Sequence, residues 1–304
     1  MTQISNLHLE TAAAELVRKL GGTWTASGGM CHCPAHDDRS PSLSVRVGDR
    51  SLLFKCFAGC SGLEVMRAIR RLHLDVPVDK DAIVRPPSPA DTINLERALA
   101  VWGETRTPQQ TLVATYLASR GITHLPAALR YHPRTPLGKK HCVSFRPALI
   151  AAVRDDAGIT AIQRCFFDRA GPWLATDLRK AKLTLGRPLT GAVRLYRPTR
   201  CLGLAEGIET ALSAAILLDI PVWATLGNER LARVAIPDFV DQLILLPDND
   251  QGGRLAAKRA LDTYARPGRL IRTLWPWRGL NDWNDVLMEE LGLRARRRAE
   301  RIAA

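Results

Sequence analysis

Residues 242–252, QLILLPDNDQG, decide the fold, because an apolar run ends there in two aspartates, Asp248 and Asp250. A short apolar run followed by a helical pattern predicts a buried β-strand that leads into a helix. The same order of features occurs in CLGLAEG at 201–207, where the run ends at Glu206. Open α/β sheets place their ligand sites at the carboxyl ends of parallel strands. We therefore expect Glu206, Asp248 and Asp250 to meet at one edge of a parallel sheet.

These three acids suit a divalent cation. Asp248 and Asp250 belong to one predicted loop, and Glu206 approaches from the neighbouring strand end. Mg²⁺ takes oxygen ligands and commonly leaves coordination positions for phosphates. The alternative is that the acids only cap helices and turns. Either motif alone leaves that alternative open, whereas both motifs in order on predicted strands favour a metal site.

The pair of motifs resembles the Toprim domain shared by bacterial primases and topoisomerases. The resemblance implies that Asp248 and Asp250 bind catalytic Mg²⁺ or Mn²⁺, and that Glu206 is a further ligand or takes part in proton transfer. Replicative primases carry another acid four residues after the motif glutamate. Thr210 occupies that position here, with Glu209 beside it. Either Glu209 takes that role or one metal position is altered.

Charge and composition limit the class of the protein. Its 304 residues carry a formal net charge of +13, which favours a polyanionic partner such as nucleic acid. No apolar run reaches the roughly 18 residues that a membrane helix needs, and the first residues lack the pattern of a signal peptide. We therefore expect a cytoplasmic protein without membrane attachment, built from two or three compact domains.

A second group of metal-ligating residues lies near the N-terminus. The candidates are three cysteines and a histidine on either side of a predicted hairpin: Cys33, His36, Cys56 and Cys60. The hairpin pairs residues 43–47 with 51–55 around a turn at Gly48-Asp49, which brings the candidates together. Three thiolates and an imidazole form a closed tetrahedral zinc site of the structural kind. Two alternatives stay open: Cys31 or His32 replaces one ligand, or the cysteines are reduced and hold no metal.

The same segment resembles the zinc-binding domain at the start of bacterial and phage primases, in CPAH at 33–36 and SPSL at 40–43. That family often has Cys-x-x-Cys as its second pair, whereas three residues separate Cys56 from Cys60 here. The resemblance implies a zinc ribbon that contacts single-stranded template.

Helical, strand and proline patterns divide the chain into five segments. We expect a zinc ribbon domain at 1–74, a proline-rich linker at 75–91, a helical and basic α/β subdomain at 92–199, the Toprim domain at 200–290 and a basic tail at 291–304. Ser61 and Glu64 have capping-box spacing and predict a helix from Ser61 to about Leu72. The expected fold class is α/β, with a parallel Toprim sheet flanked by helices after a mixed α+β subdomain and an N-terminal zinc ribbon.

Positive charge concentrates immediately before the first acidic motif. Residues 164–200 hold nine Arg or Lys against two Asp. In position and charge this strip resembles the basic subdomain of replicative primases, which implies contacts with nucleotide or DNA phosphates. We assign these contacts to three residues: Arg164, Lys180 and Lys182.

A later segment, GLNDWNDVL at 279–287, resembles an element that follows the Toprim strands of phage and plasmid primases. The resemblance implies that Asp282 helps to position magnesium or nucleotide. Asp285 is expected at a helix start.

The order of the segments resembles that of a small DNA primase of phage, plasmid or mobile-element type. Such an enzyme makes short RNA primers on single-stranded DNA from nucleoside triphosphates. No Gly-x-x-x-x-Gly-Lys-Ser/Thr loop occurs in the chain, so unwinding would need a separate replicative helicase. Two alternatives remain: a non-catalytic single-stranded DNA-binding protein of replication or conjugation, and a Toprim nuclease. Mg²⁺-dependent turnover would separate an enzyme from a binding protein.

Overall fold

The structure, a computed structural model, describes residues 2–25, 27–48, 51–74, 76, 87–138 and 142–292, without the side chains of residues 2–8 and 63. The chain divides into two compact units, Met1–Pro86 and Pro87–Ala304. None of the described helices is long and apolar enough to cross a membrane. Asp49 of the predicted turn, most of the predicted linker and nearly all of the predicted basic tail lie outside the described residues.

The first unit is an antiparallel sheet preceded and followed by a helix. Its elements are α1 (Thr2–Lys19), β1 (Thr23–Thr25), β2 (Gly28–Cys31), β3 (Leu43–Val47), β4 (Leu52–Cys56) and α2 (Gly62–Arg71). The strands pair in the order β1-β2-β3-β4. Alternation along β3 buries Leu43 and Val45 in one core with Val17 of α1 and Ile69 of α2. This sheet agrees with the expected N-terminal ribbon.

Helix α2 begins as predicted. Ser61 Oγ accepts a hydrogen bond from Glu64 N at 3.3 Å, and Glu64 Oε2 accepts one from Ser61 N at 2.7 Å. These bonds form a capping box, which satisfies backbone N–H groups at the helix start. The predicted cap is therefore confirmed.

The second unit begins with two helices and an antiparallel sheet. These elements are α3 (Pro89–Gly103), α4 (Leu112–Ser119), β5 (Leu129–Leu137), β6 (Ser144–Arg154), β7 (Ile159–Phe166) and β8 (Lys182–Gly186). The strands pair in the order β5-β6-β7-β8, with every pair antiparallel. Helix α3 packs on β7 and β8, where Ala98 and Val101 share a core with Ile162.

The end of the predicted linker differs from the structure. Residues 89–91 form the first turn of α3, because Ser88 Oγ accepts from Asp91 N at 3.3 Å and Asp91 Oδ2 accepts from Ser88 N at 2.8 Å. Pro89 occupies the start of the helix, where its missing N–H breaks no helical hydrogen bond. Here a proline marks a helix start rather than a linker.

The remainder of the second unit is a parallel sheet with helices. Its elements are β9 (Cys201–Ala205), α5 (Ile208–Leu218), β10 (Val222–Ala224), β11 (Gln242–Leu246), α6 (Gln251–Tyr264) and β12 (Leu270–Thr273), and residues 283–292 are helical. The strand order is β10-β9-β11-β12, with every pair parallel. The strands predicted at 201–205 and 242–246 are confirmed, and so is the α/β fold class.

Helices cover both faces of the parallel sheet. Leu243 and Leu245 of β11 share a core with α6, whereas Ile244 and Leu246 share one with α5. Burial on both faces explains why this strand is a continuous apolar run rather than an alternating one.

The register of the central strands sets the position of the acidic motifs. Ala205 at the end of β9 pairs with Leu246 at the end of β11. The chain therefore leaves both strands at the same level, which places Glu206 beside the loop that carries Asp248. Isolated bridges at residues 154–192 and 193–224 join the antiparallel sheet to this parallel sheet.

Candidate active site

Four side chains of the first unit bring metal-ligating atoms together. Cys33, His36, Cys56 and Cys60 each place one such atom within 4.8 Å of the others. Zinc–sulfur bonds of about 2.3 Å put two sulfurs of a tetrahedral site roughly 3.8 Å apart. The set is compact enough for zinc, since His36 Nδ1 lies 3.2 Å from Cys60 Sγ and 4.0 Å from Cys56 Sγ.

Asp38, which the sequence motifs did not single out, orients this set. Its Oδ2 accepts from Cys33 N at 2.6 Å and from Ser42 Oγ at 2.7 Å, while its Oδ1 lies 3.5 Å from His36 Nε2. Burial acts to raise the pKa of Asp38, but the hydrogen bonds outweigh burial and lower that pKa to about 2. A carboxylate on the far nitrogen of a metal-binding histidine fixes the orientation of the ring.

The Cys56 thiol is prepared for metal binding. Burial acts to raise its pKa, but backbone N–H groups of Cys60 and Ala58 and the Ser42 hydroxyl outweigh burial and lower the pKa to about 7. The thiolate is the form that binds zinc. The donor set fits a structural zinc ion because three sulfurs and one imidazole nitrogen lie within 4.8 Å of one another.

The two alternative ligands make other contacts. Cys31 Sγ donates to Leu43 O at 3.7 Å, and His32 Nδ1 lies 2.9 Å from Asp38 O. Neither side chain belongs to the four-residue set.

The acidic residues of the second unit line a cleft of about 350 Å³. Glu206 follows β9, Asp248 follows β11 and Asp282 comes from the segment after β12, and all three lie in the wall of the cleft. Asp250 is close enough to raise the pKa of both Glu206 and Asp248. The sheet thus brings together four acids that were predicted from separate motifs.

Burial and mutual repulsion perturb two of these acids. Burial raises the pKa of Glu206 to about 7, and Asp248, Asp250 and Glu229 contribute further. Burial likewise raises the pKa of Asp248 to about 6, with added repulsion from Asp282 and Asp250. Carboxylates packed this closely repel one another, and a bound cation relieves the repulsion. The cleft therefore favours a divalent cation.

Backbone hydrogen bonds fix the acids and leave oxygens for a ligand. Asp250 Oδ1 accepts from Gly253 N at 2.6 Å as the N-cap of α6. Asp282 Oδ1 accepts from Asn284 N at 2.7 Å and from the following backbone N–H at 2.9 Å. Asp248 Oδ1 is buried and accepts no hydrogen bond from the described residues. A buried carboxylate oxygen without a partner calls for a ligand, and a metal ion fits.

The loop that carries Asp248 is held from two sides. Asn249 N donates to Asn281 O at 2.7 Å and Asn249 Nδ2 donates to Leu280 O at 3.3 Å, which ties the loop to the segment before Asp282. On the other side, a Cβ on Gly253 would lie 2.0 Å from Asp248 O. Only glycine allows α6 to begin this close to the loop.

Comparison with known families identifies this part of the chain. Residues 201–292 match the family model of the Toprim domain. This part of the chain is a Toprim domain. The resemblance seen in the two acidic motifs is thereby confirmed. Residues 93–195, before the Toprim domain, match a family described as Domain of unknown function (DUF7146). No curated protein matches the chain.

Solved primase structures are similar to this chain at low identity. The zinc-binding and RNA polymerase domains of the Aquifex aeolicus primase are 18% identical, with a TM-score of 0.47 over 94% of this chain and 84% of that one. A Pseudomonas aeruginosa primase domain is 20% identical, with a TM-score of 0.45 over 68% of this chain and 78% of that one. The primase fragment of the bacteriophage T7 primase-helicase is 15% identical, with a TM-score of 0.41 over 86% of this chain and 95% of that one.

Glu209 of the Toprim domain is committed to other side chains. Lys182 Nζ lies 2.8 Å from each of its carboxylate oxygens, and Tyr116 Oη donates to Oε1 at 2.7 Å. Burial acts to raise the pKa of Glu209, but the charge of Lys182 and these hydrogen bonds outweigh burial and lower it. Glu209 is therefore occupied as an ion-pair partner, and Thr210 leaves the position four residues after Glu206 without a carboxylate.

The three basic residues assigned to phosphate contacts differ in placement. Lys182 lines the cleft, whereas Lys180 is exposed outside the cleft wall. Arg164 Nη1 donates to Pro136 O at 2.9 Å. Because side chains alternate across a strand, Gln163 rather than Arg164 reaches the cleft from β7.

Sequence reasoning missed the residues that join α4 to the Toprim domain. Asn284 Nδ2 donates to Arg120 O at 2.8 Å and to Ser213 Oγ at 3.0 Å. Arg120 and Tyr116 of this region also line the cleft. The contacts of α4 span 93 and 164 positions along the chain, so no local pattern reveals them.

Proposed function

We propose that this protein is a DNA primase of phage, plasmid or mobile-element type, which synthesises short RNA primers on single-stranded DNA. The observation that carries the proposal is the cleft of the Toprim domain, which Glu206, Asp248 and Asp282 line together with Lys182. Carboxylates for cations beside a lysine for phosphates suit nucleotidyl transfer. The Cys₃His set and the net charge of +13 support a protein that works on nucleic acid.

The acids are the proposed ligands of Mg²⁺ or Mn²⁺. Asp248 offers its unpaired Oδ1, and Asp250 and Asp282 each keep one oxygen that their backbone hydrogen bonds do not use. Glu206 is a further ligand or a proton acceptor, because a pKa of about 7 allows both forms near neutral pH. A bound divalent cation would neutralise charge on the triphosphate and on the leaving pyrophosphate.

The reaction is attack by a 3′-hydroxyl oxygen on the α-phosphorus of a nucleoside triphosphate. A new P–O bond forms while the bond from the α-phosphorus to the bridging oxygen breaks. Pyrophosphate leaves with that electron pair, and the hydroxyl proton passes to a base.

Lys182 is the proposed phosphate contact within the cleft. Its ammonium group has three N–H donors, and the two oxygens of Glu209 use two of them. The third donor remains for a phosphate oxygen. Lys180, which is exposed, is a second candidate. Arg164 is left out, because it donates to Pro136 O and does not line the cleft.

The first unit serves in this proposal as a zinc-dependent module that contacts template. Its zinc ligands are Cys33, His36, Cys56 and Cys60. The proposed partners are single-stranded DNA, nucleoside triphosphates and a separate replicative helicase, and the proposed compartment is the cytoplasm.

The test is primer synthesis on assorted single-stranded DNA templates with labelled ribonucleotides and Mg²⁺ or Mn²⁺. Wild type is compared with Asp248→Asn and with Asp262→Asn, a control that removes an exposed carboxylate from α6. We expect short RNA products from wild type and from the control, and none from Asp248→Asn.

Two other outcomes overturn the proposal. Cleavage of the template by wild type and not by Asp248→Asn would make the protein a Toprim nuclease. Mg²⁺-independent binding to single strands without turnover in any variant would make it a non-catalytic accessory protein.

A further inference from the structure

Two tryptophans are exposed on the segment that leaves the last strand of the Toprim sheet. Trp275 and Trp277 expose 38% and 45% of their surface, whereas Pro276 between them is buried. The residue before a proline is restricted to extended conformations, and proline fixes its own φ. The two indoles are therefore presented on the outer side of a stiff backbone.

This Trp275–Trp277 segment is fastened beside the acidic cleft. At its start, Leu274 N donates to Leu245 O of β11 at 2.9 Å. At its end, Leu280 N donates to Trp277 O at 2.9 Å, and Asn281 O accepts from Asn249 N in the loop that carries Asp248. Both indoles thus lie at the carboxyl edge of the sheet, where the acids lie.

The two indoles and the neighbouring arginine side chains have no polar or ring partner among the described residues. Neither indole has a hydrogen bond or a ring contact with a described residue, and neither Arg272 nor Arg278 has an ion pair with one. Tryptophan side chains are enriched at interaction surfaces, because the indole offers a large apolar ring together with a polar N–H group.

The charge of the same segment selects the kind of partner. Residues 269–281 contain three arginines and no acidic residue. Arg272 and Arg278 are exposed on either side of the two tryptophans. Exposed aromatic rings among arginines suit single-stranded nucleic acid, because bases stack on the rings while phosphates meet the cations. A purely apolar protein partner would leave the arginines without counter-charges.

We propose that Trp275 and Trp277 are a stacking platform for bases of single-stranded template beside the acidic cleft, with Arg272 and Arg278 holding the adjacent phosphates. The platform deepens the proposed function and rests on it for its role in priming. A stiff platform at the edge of the cleft loses little conformational freedom when bases stack on it, which favours binding.

The experiment measures binding of a fluorescent single-stranded oligonucleotide to the full chain by anisotropy, with no nucleotide and no divalent cation. The test variant is Trp275→Leu/Trp277→Leu. The matched control is Phe239→Leu, which removes a ring of 56% exposure near the opposite, amino-terminal edge of the sheet. A second ligand is an oligonucleotide of equal length with abasic positions, which keeps the phosphates and removes the bases.

We expect the double tryptophan variant to bind the normal oligonucleotide roughly 10- to 100-fold more weakly than wild type. The Phe239→Leu control should bind like wild type, and Trp275→Phe/Trp277→Phe should keep most of the affinity because it keeps the rings. Wild type and the double leucine variant should bind the abasic oligonucleotide alike. The dependence of affinity on salt should not change, since no charge is removed.

Three results would contradict the proposal that the two tryptophans stack with bases. They are equal affinity of wild type and the double leucine variant, an equal loss on normal and abasic oligonucleotides, and conversion of a wild-type dimer into a monomer by the variant. The last result would assign the surface to a second copy of the chain. Because the assay needs no turnover, failed primer synthesis in wild type with intact stacking would reject the proposed function and leave the platform as a single-strand binding site.

Discussion

Lys182 Nζ lies 2.8 Å from both carboxylate oxygens of Glu209. Lys182 begins β8 of the antiparallel sheet, and Glu209 lies in the first turn of α5 in the Toprim domain. The pair therefore links the Toprim domain to the sheet that precedes it in the chain. Glu209 is buried and Lys182 is partly exposed. Removal of Lys182 alone is destabilising, because it leaves the buried carboxylate unpaired.

Removal of Lys182 should destabilise the second unit. Lys182→Met leaves the buried Glu209 carboxylate without its cation, and we expect a loss of about 2 to 4 kcal/mol in the free energy of unfolding. The expected loss in unfolding free energy is smaller than for a fully buried pair, because the Lys182 side chain is 37% exposed and solvent screens its charge. Urea denaturation measures the change, with Lys258→Met on the exposed face of α6 as the control. Addition of Glu209→Gln should recover part of the loss, and a double variant no more stable than Lys182→Met would contradict the pairing.

Glu209 should make the protein sensitive to acid. Its pKa is lower in the folded chain than in the unfolded one. The carboxylate therefore contributes stability above its unfolded value of about 4.3 and loses that contribution as the pH falls through the lower folded value. Below about pH 4.5 the unfolding free energy of wild type should fall more steeply than that of Glu209→Gln. Parallel curves for the two proteins would show that Glu209 has the same pKa in both states.

Mg²⁺ binding should strengthen as the pH rises through neutrality. Glu206 and Asp248 have pKa values of about 7 and about 6, so protons compete with the cation below these values. Calorimetric titration at about pH 6 and about pH 8 should give the higher affinity at the higher pH. Asp248→Asn should bind Mg²⁺ weakly at both values, while Asp262→Asn should behave like wild type. Affinity that does not change with pH would place the cation away from these two acids.

Loss of one thiol should release zinc from the first unit. We expect Cys56→Ser to contain no zinc by elemental analysis, because three remaining donors hold the ion too weakly for purification. Cys142→Ser removes an exposed thiol outside the set and should keep the wild-type zinc content. The second unit should unfold in Cys56→Ser as in wild type. A normal zinc content in Cys56→Ser would return Cys31 or His32 to the ligand set.

The parallel sheet was accessible from sequence because its signals are local. Strands β9 and β11 are buried on both faces, so each is a continuous apolar run that ends where the strand ends. The acids follow directly from those runs. The same holds for α2, whose cap lies within three residues of its start.

The surroundings of the acids were not accessible in this way. Tyr116 meets Glu209 across 93 positions, and Asn284 meets Arg120 across 164. Only the folded topology brings such residues together. The choice between Gln163 and Arg164 in the cleft likewise depends on which face of β7 is turned inward, and an apolar strand with few polar residues does not reveal that face.

The metal set of the first unit has a consequence for chain entropy. Cys33 and His36 precede the hairpin and Cys56 and Cys60 follow it, with His36 and Cys56 separated by 20 positions. A zinc ion bound to all four residues closes this stretch into a loop. A disulfide that closes a loop of about this size stabilises the folded state by roughly 3 kcal/mol, because it lowers the conformational entropy of the unfolded chain. The ion thus cross-links a unit with a small core as a disulfide would, and unlike a disulfide it needs no oxidising environment.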